Sequence, residues 1–191
     1  MLLAAGRGSR FAAGNPGAAA SSHKLLSDLR GQPVFVWALA SVLAAEPEHV
    51  IVVTGAVALE LPANVIEVHN PHWADGQATS LQRGLRAAGE LGVDRVVVGL
   101  ADQPFVTPEC WRAVAAAESP IAVATYDGER GNPVALHRSI WELLPTEGDQ
   151  GARNLITLRP ELVREVACKG SPADIDTMED LQQWNSSTNS P

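Results

Sequence analysis

The chain has 191 residues, a hydrophobic content of 46% and a net charge of −8. That length suits one compact domain around a single substantial core, and the acidic balance argues against a general nucleic-acid binder or a protein that coats anionic membranes, since both need a basic footprint. The longest apolar runs, such as Val50–Val53 and Val96–Leu100, fall far short of the ~20 residues that cross a bilayer, and no charged region precedes an apolar signal segment, so a cytoplasmic protein without a membrane partner is expected.

In chain order, Leu2–Ala4 reads as the end of a first strand, followed by a stretch rich in Ala, Gly and Ser from Ala12 to Ser22 that predicts a mobile loop. A helix is predicted over Pro33–Ala45, with Pro33 in a first turn that tolerates proline. Strands are predicted over His49–Thr54 and Val65–His69, then a helix over Thr79–Leu91 and a strand over Arg95–Leu100. Pro108–Ala117 predicts a third helix capped by Thr107. Ile121–Thr125 and Pro133–Leu136 predict two more strands, and Asp149–Leu158 and Thr177–Trp184 two short helices. Such alternation is the pattern of βαβ units and predicts an α/β fold, a mostly parallel central sheet flanked by helices. One domain is expected over residues 1–184, with a disordered Ser/Asn-rich tail over 185–191. Cys110 and Cys168 lie far apart without a CxxC pattern, so neither a disulfide nor a thiolate metal site is expected.

Three stretches carry chemistry. After the first strand come Ala5-Gly6-Arg7-Gly8-Ser9-Arg10-Phe11 and, beyond the small-residue loop, Lys24. Small residues directly after a strand let backbone N–H groups approach phosphate oxygens, and Arg7, Arg10 and Lys24 offset phosphate charge. Phe11 stands where a dinucleotide fingerprint needs its third glycine, and GxxxxGK[ST] is missing, which disfavours both an NAD site and a P-loop. The second stretch, Val96–Leu100 followed by Ala101-Asp102-Gln103-Pro104, puts a carboxylate at the carboxyl end of a strand, where open α/β sheets bind ligands. The third, Asp174-Ile175-Asp176-Thr177-Met178-Glu179-Asp180, is an acidic helix start capped by Asp176 or Thr177. His69, His72 and Asp75 form too weak a cluster to predict zinc.

The opening Leu3-Ala4-Ala5-Gly6-Arg7-Gly8-Ser9-Arg10, with Lys24 and Gly31-Gln32-Pro33, resembles the signature of the MobA-like nucleotidyltransferases. Ala101-Asp102-Gln103-Pro104 resembles that family's GDQP element, and Asp174-Ile175-Asp176-Thr177 its DxDT element. Asn70 to Leu81, Gly131-Asn132-Pro133-Val134 and Gly148-Asp149-Gln150-Gly151-Ala152-Arg153 resemble further family segments, so the likeness runs in order over most of the chain. It implies a single-domain Rossmann-like nucleotidyltransferase fold. It implies a nucleotide held by Leu3, Ala4, Ala5, Gly6, Arg7, Gly8, Arg10 and Lys24, with Gly55, Asn70, Gly76, Ser80 and Asp102 around it. It implies an acceptor bordered by Gly131, Pro133, Gly151 and Arg153. Mg²⁺ would be held by Asp102 and Asp176, with Asp174 as the alternative second ligand, and Lys24, Asp102 and Arg7 would carry the catalysis.

Within the family, Ala5 in the LAAG turn and the later elements look most like the molybdenum cofactor cytidylyltransferases. That likeness implies CTP and molybdopterin cofactor as substrates and a recipient molybdoenzyme for the product; a monomer is expected. A guanylyltransferase, another small-phosphate nucleotidyltransferase and a non-catalytic cofactor-delivery protein are the alternatives.

Overall fold

The computed structural model describes residues 1–8, 11 and 23–186. Along β1 (Leu2–Ala4) and β4 (Ile51–Thr54) every residue is buried. Leu2, Ala4 and Val52 enter one apolar cluster, while Leu3, Ile51 and Val53 enter another on the opposite side. Strands apolar on both faces must sit in a sheet covered on both sides, and that is the architecture found.

The described residues form nine strands in two sheets. A hairpin of β2 (Asp28–Leu29) and β3 (Gln32–Pro33) turns through Arg30 and Gly31, both at positive φ. The main sheet adds β5 (Ile66–His69), β6 (Arg95–Leu100), β7 (Ile121–Tyr126), β8 (Glu129–His137) and β9 (Val163–Ala167) in the order β5-β4-β1-β6-β8-β7-β9. Every strand of it runs parallel except β8, which pairs antiparallel with both β6 and β7. Helices α1 (Val34–Ala44) and α3 (Pro108–Ala116) cover one face, bringing Phe35, Leu39, Trp111 and Val114 to the first cluster. Helix α2 (Gln77–Glu90), the 3₁₀ segment Arg138–Leu143 and α4 (Arg153–Leu158) cover the other with Leu81, Leu85, Ile140 and Leu155. No helix among the described residues is long and apolar enough to cross a membrane.

A third, smaller cluster joins Phe11, Leu29 and Val34 to Ile175 and to Leu181 of α5 (Met178–Ser186). Phe105 and Trp184 stack at its edge with ring centroids 3.8 Å apart. Asn185 ties α5 to the hairpin, accepting from Arg30 N at 2.8 Å and donating to Asp28 O at 3.1 Å. Asn185 and Ser186, assigned by composition to a disordered tail, are therefore helical, and residues 187–191 lie outside the described residues. The loop 12–22 also lies outside them.

Three further expectations are corrected. The helix expected from Asp149 begins only at Arg153, as α4, because Gly151 adopts φ 50° and breaks the helical path before it. The short β2 and β3 and the outermost β9 carry no alternating apolar signal: Arg164, Glu165 and Ala167 of β9 face solvent. A hidden β9 hides its consequence too. It pairs with β7 through Thr125↔Ala167, and Cys168 N donates to Thr125 O at 2.8 Å, which sets Cys168 against the first turn of α3. Cys110 and Cys168 form a disulfide across 58 residues, Cα to Cα 5.2 Å, contrary to the expectation of two separate thiols.

Gly99 of β6 passes directly beneath the Trp111 ring, whose Cη2 would lie 2.5 Å from a Cβ added there. Since Trp111 is itself buried, Gly99→Ala is expected to destabilise the fold by ~1–3 kcal/mol, read as a lower midpoint in urea denaturation. An unchanged midpoint would show that the ring moves aside freely.

Candidate active site

From β1 the chain passes to β4 and β5 on one side, then returns through α2 to β6 on the other. The carboxyl ends of β1 and β6 are thus a switch point, where the two flanking connections diverge and leave a crevice. A cleft of about 540 Å³ opens there, lined by residues 3–8 after β1, Leu100 and Asp102 after β6, Lys24 and Leu25, and Trp73 to Ser80 with Asp149. A larger hollow of about 730 Å³ lies at the opposite, amino-terminal ends of these strands, beside Met1, His49 and Arg95, away from every motif.

The floor of the cleft is backbone. Ala5 O accepts from Ala56 N at 3.0 Å, and the amides of Gly6, Arg7 and Gly8 donate to no group among the described residues. Such successive unpaired N–H groups are suited to anionic oxygens. His23 closes the far side of the loop: Nε2 donates to Gly6 O at 2.8 Å while Nδ1 accepts from Leu25 N at 3.3 Å, capping the 3₁₀ turn Lys24–Leu26. Burial holds the imidazole below its ordinary pKa against the pull of the Gly6 carbonyl, and the adjacent Lys24 charge pushes the same way as burial. A neutral ring is what this donor–acceptor pairing needs.

Lys24 reaches from this turn to two carboxylates. Nζ donates to Asp102 Oδ2 at 2.5 Å and to Asp176 Oδ1 at 2.8 Å. Burial disfavours the ammonium, but Asp102 and then Asp176 outweigh it and hold the Lys24 pKa above the usual lysine range. On the lysine side, this pairing therefore contributes fully at neutral pH and is lost as pH rises through that raised value. Asp102 Oδ1 is buried and has no hydrogen-bond partner among the described residues. Asp174 sits next to the pair, its carboxyl pushed up by burial and then by the Asp102 and Asp176 charges.

Asp176 arrives on a strap. Residues 168–176 run along the loop after β6: Gly170 bridges Val106, Ser171 N donates to Phe105 O at 3.2 Å, and Ile175 N donates to Asp102 O at 2.9 Å. Gln103, almost fully buried, clasps the strap with Nε2, donating to Pro172 O at 2.9 Å and to Asp174 Oδ1 at 2.6 Å. Beyond the strap, Thr177 and Asp180 form a reciprocal capping box: Thr177 Oγ1 accepts from Asp180 N, and Asp180 Oδ2 accepts from Thr177 N and Asp176 N. Thr177 is therefore the cap, and Asp176 is left facing Lys24.

The donor set fits a hard divalent cation. Asp102 and Asp176 present oxygens to the Lys24 ammonium already, and Asp102 keeps a buried oxygen to spare. No group of three His, Cys, Asp or Glu among the described residues forms a complete cage, so an ion held here would take its other ligands from substrate phosphates and water, as Mg²⁺ prefers.

The opposite wall comes from the segment after β5. Trp73 stands over the cleft with the exposed Arg7 guanidinium 5.2 Å from its ring centre. Gly76 adopts φ 113°, ψ 163°, and a Cβ there would meet the Gly148 carbonyl at 2.6 Å, so this turn and the α2 start lock together. Ala78 N donates to Gly148 O at 2.9 Å and Gln77 N to Asp149 Oδ1 at 3.3 Å. Ser80 lines the cleft, whereas Asn70 does not: fully buried, it donates to Thr79 Oγ1 and Ser80 Oγ and accepts from His72 N, shaping the wall from behind. Gly55 also lies behind, packed on Trp73 and Ala5. Gly131 packs on Pro172 and the Tyr126 ring, Pro133 follows it in β8, Gly151 faces the Gln77 side chain, and Arg153 is exposed on α4. None of these four lines the cleft. Arg10 lies outside the described residues. Trp73, Gln77, Asp149, His23 and Gln103 join the site without having been singled out by sequence. Only their places within the recognised segments pointed to them.

The MobA-like NTP transferase domain family matches residues 1–166. Purine catabolism protein PucB of Bacillus subtilis is 28% identical over 197 residues, covering 94% of this chain and 92% of its own. Among solved structures, a nucleotidyl transferase from Methanothermobacter thermautotroptrophicus superposes with a TM-score of 0.80 at 27% identity, covering 95% of this chain and 93% of that one. Rv0371c of Mycobacterium tuberculosis gives 0.80 at 28% identity, covering 97% and 95%. Its complex with manganese gives 0.76 at 26%, covering 98% and 97%.

Gln103→Leu keeps the shape of the clasp and removes its two donors. Leaving Pro172 O and Asp174 without them should cost ~1–3 kcal/mol and weaken Mn²⁺ binding by about tenfold, measured by titration calorimetry. Unchanged metal affinity would mean that the strap holds Asp176 in place without Gln103.

Proposed function

We propose that this chain, which belongs to the MobA-like NTP transferase family and is a nucleotidyltransferase, transfers CMP from CTP to molybdopterin cofactor and releases pyrophosphate. The observation that carries the reading is the convergence, at the mouth of a backbone-floored cleft, of one ammonium and two carboxylates from three distant parts of the chain. In the reaction an acceptor phosphate oxygen bonds to the α-phosphorus of the triphosphate as the bond to the β-phosphate oxygen breaks. An ionised acceptor phosphate needs no general base, so positioning and charge stabilisation are the protein's task.

A divalent ion, Mg²⁺ in this proposal, would supply neutralisation of the reacting phosphate charge, held by Asp102 and Asp176. The amides of residues 6–8 cradle phosphate oxygens, and Lys24 and Arg7, with Arg10, oppose the charge on the departing pyrophosphate. Trp73 offers a flat wall beside the floor. The choice of a pyrimidine rests on the likeness of the Leu3-Ala4-Ala5-Gly6 turn and the later elements to those of the cofactor cytidylyltransferases. Use of a divalent metal accords with the manganese complex solved for the similar Rv0371c. The acceptor identity rests on the sequence elements shared with the cofactor cytidylyltransferases, whose product would pass to a recipient molybdoenzyme.

Pyrophosphate release is the test, measured with CTP, GTP, ATP or UTP in the presence of Mg²⁺ and molybdopterin cofactor. Release specific to CTP is expected. Release with GTP alone would overturn the base, and release with no nucleotide would overturn the acceptor. Asp102→Ala should lower turnover by about a hundredfold or more without unfolding the protein, since the loss is of transition-state charge stabilisation. Lys24→Ala should impair triphosphate use with the fold intact. Turnover equal to the parent's in either variant would remove that residue from the mechanism.

A further inference from the structure

Lys24 stands where the metal would stand. Its Nζ lies 2.5 Å from Asp102 Oδ2 and 2.8 Å from Asp176 Oδ1, and its side chain is only 13% exposed. A divalent ion held by the same two carboxylates, even through the spare Asp102 Oδ1, would lie within a few ångströms of that ammonium and meet strong like-charge repulsion. The two cations cannot share the gap.

From this geometry we infer that Lys24 is a resident counter-ion of the carboxylate pair, that divalent metal enters by expelling its ammonium, and that bound triphosphate is what receives the expelled charge. The inference rests on the reading of Asp102 and Asp176 as ligands. The Lys24 stem supports it: Cγ lies 3.1 Å from where a Gly8 Cβ would be, so the side chain runs beside the backbone cradle, within reach of a phosphate bound there. The cradle is formed of N–H groups and offers an ammonium nothing unless a phosphate lies there. Metal alone must therefore displace an ion pair without compensation, while metal with nucleotide exchanges one ion pair for another. Binding of the two is positively coupled, and the nucleotide-free protein is held together as an ordered site with low metal affinity.

The opposite signs expected of two readouts make the test. In the full chain without nucleotide, Lys24→Met should bind Mn²⁺ about tenfold or more tightly than the parent, because the competing charge is gone. Lys24→Arg, which keeps a charge near the pair, should bind as weakly as the parent. Equal or weaker Mn²⁺ binding by a folded Lys24→Met protein would overturn the exchange. The parent provides a measurement that no misfolded variant can spoil. Its two lysines are Lys24 and the exposed Lys169, so amine acetylation at each is separable by mass. Mn²⁺ alone at saturation should raise Lys24 modification relative to Lys169, and Mn²⁺ with a non-hydrolysable CTP analogue should suppress it. A ratio unmoved by Mn²⁺ would overturn the inference. Neither readout needs turnover, so a protein that exchanges cations yet releases no pyrophosphate would remove the proposed reaction and leave the exchange standing.

Discussion

The hydrogen bond from Ile175 N to Asp102 O is the contact on which the rest of the site depends. β6 can deliver one carboxylate to the end of the sheet by topology alone. The second comes from a distant segment that belongs to no strand or helix, and it reaches Asp102 only because residues 168–176 are zipped along the loop after β6. That zipper has one end fixed by the Cys110–Cys168 disulfide and the other by the capping box that starts α5. Between them, Gln103 supplies the buried donors a strap without secondary structure otherwise lacks. The family match ends at residue 166, before the strap begins, so the carboxylate that completes the site comes from beyond the matched domain.

Fold and site were unequally legible in the sequence, for physical reasons. The parallel core was readable because Val50–Val53 and Val96–Leu100 are packed on both faces, which leaves continuous apolar runs. Thr107 could be named as a cap because a capping hydroxyl acts three residues away, within a local window. β9 could not, since an edge strand exposes Arg164, Glu165 and Ala167 and carries no alternation. Losing β9 also hid the disulfide. At the site, Lys24, Asp102 and the 3–8 turn were legible because each sits in a short motif whose spacing is itself the geometry. Asn70 and Gly55 were drawn to the ligand by motif likeness, yet both support the wall from behind: a residue that shapes a pocket and a residue that lines it leave the same trace in a motif. Trp73 and Gln103 sat inside recognised segments without a legible role, because Gln103 acts on the distant Pro172 and Asp174 and Trp73 on Arg7.

The electrostatics of the site favour function over stability. Asp102, Asp174 and Asp176 converge in a partly buried space around the Lys24 ammonium, and the Asp174 carboxyl is pushed up by burial first and then by its acidic neighbours. Removing two ions from water is costly even for an ideal pair, and a third carboxylate deepens the deficit. A structure optimised for stability would have replaced Asp174 with a neutral acceptor for Gln103. Its presence fits a resting site that gathers acidic oxygens for a divalent cation rather than one that minimises their mutual repulsion. Local conflict of this kind, in a chain whose sheets, caps and core agree with one another elsewhere, is where functional sites are expected. The same reasoning explains why the strap is held so redundantly: the clasp, the zipper and the capping box must together oppose the mutual repulsion of the carboxylates they bring into contact.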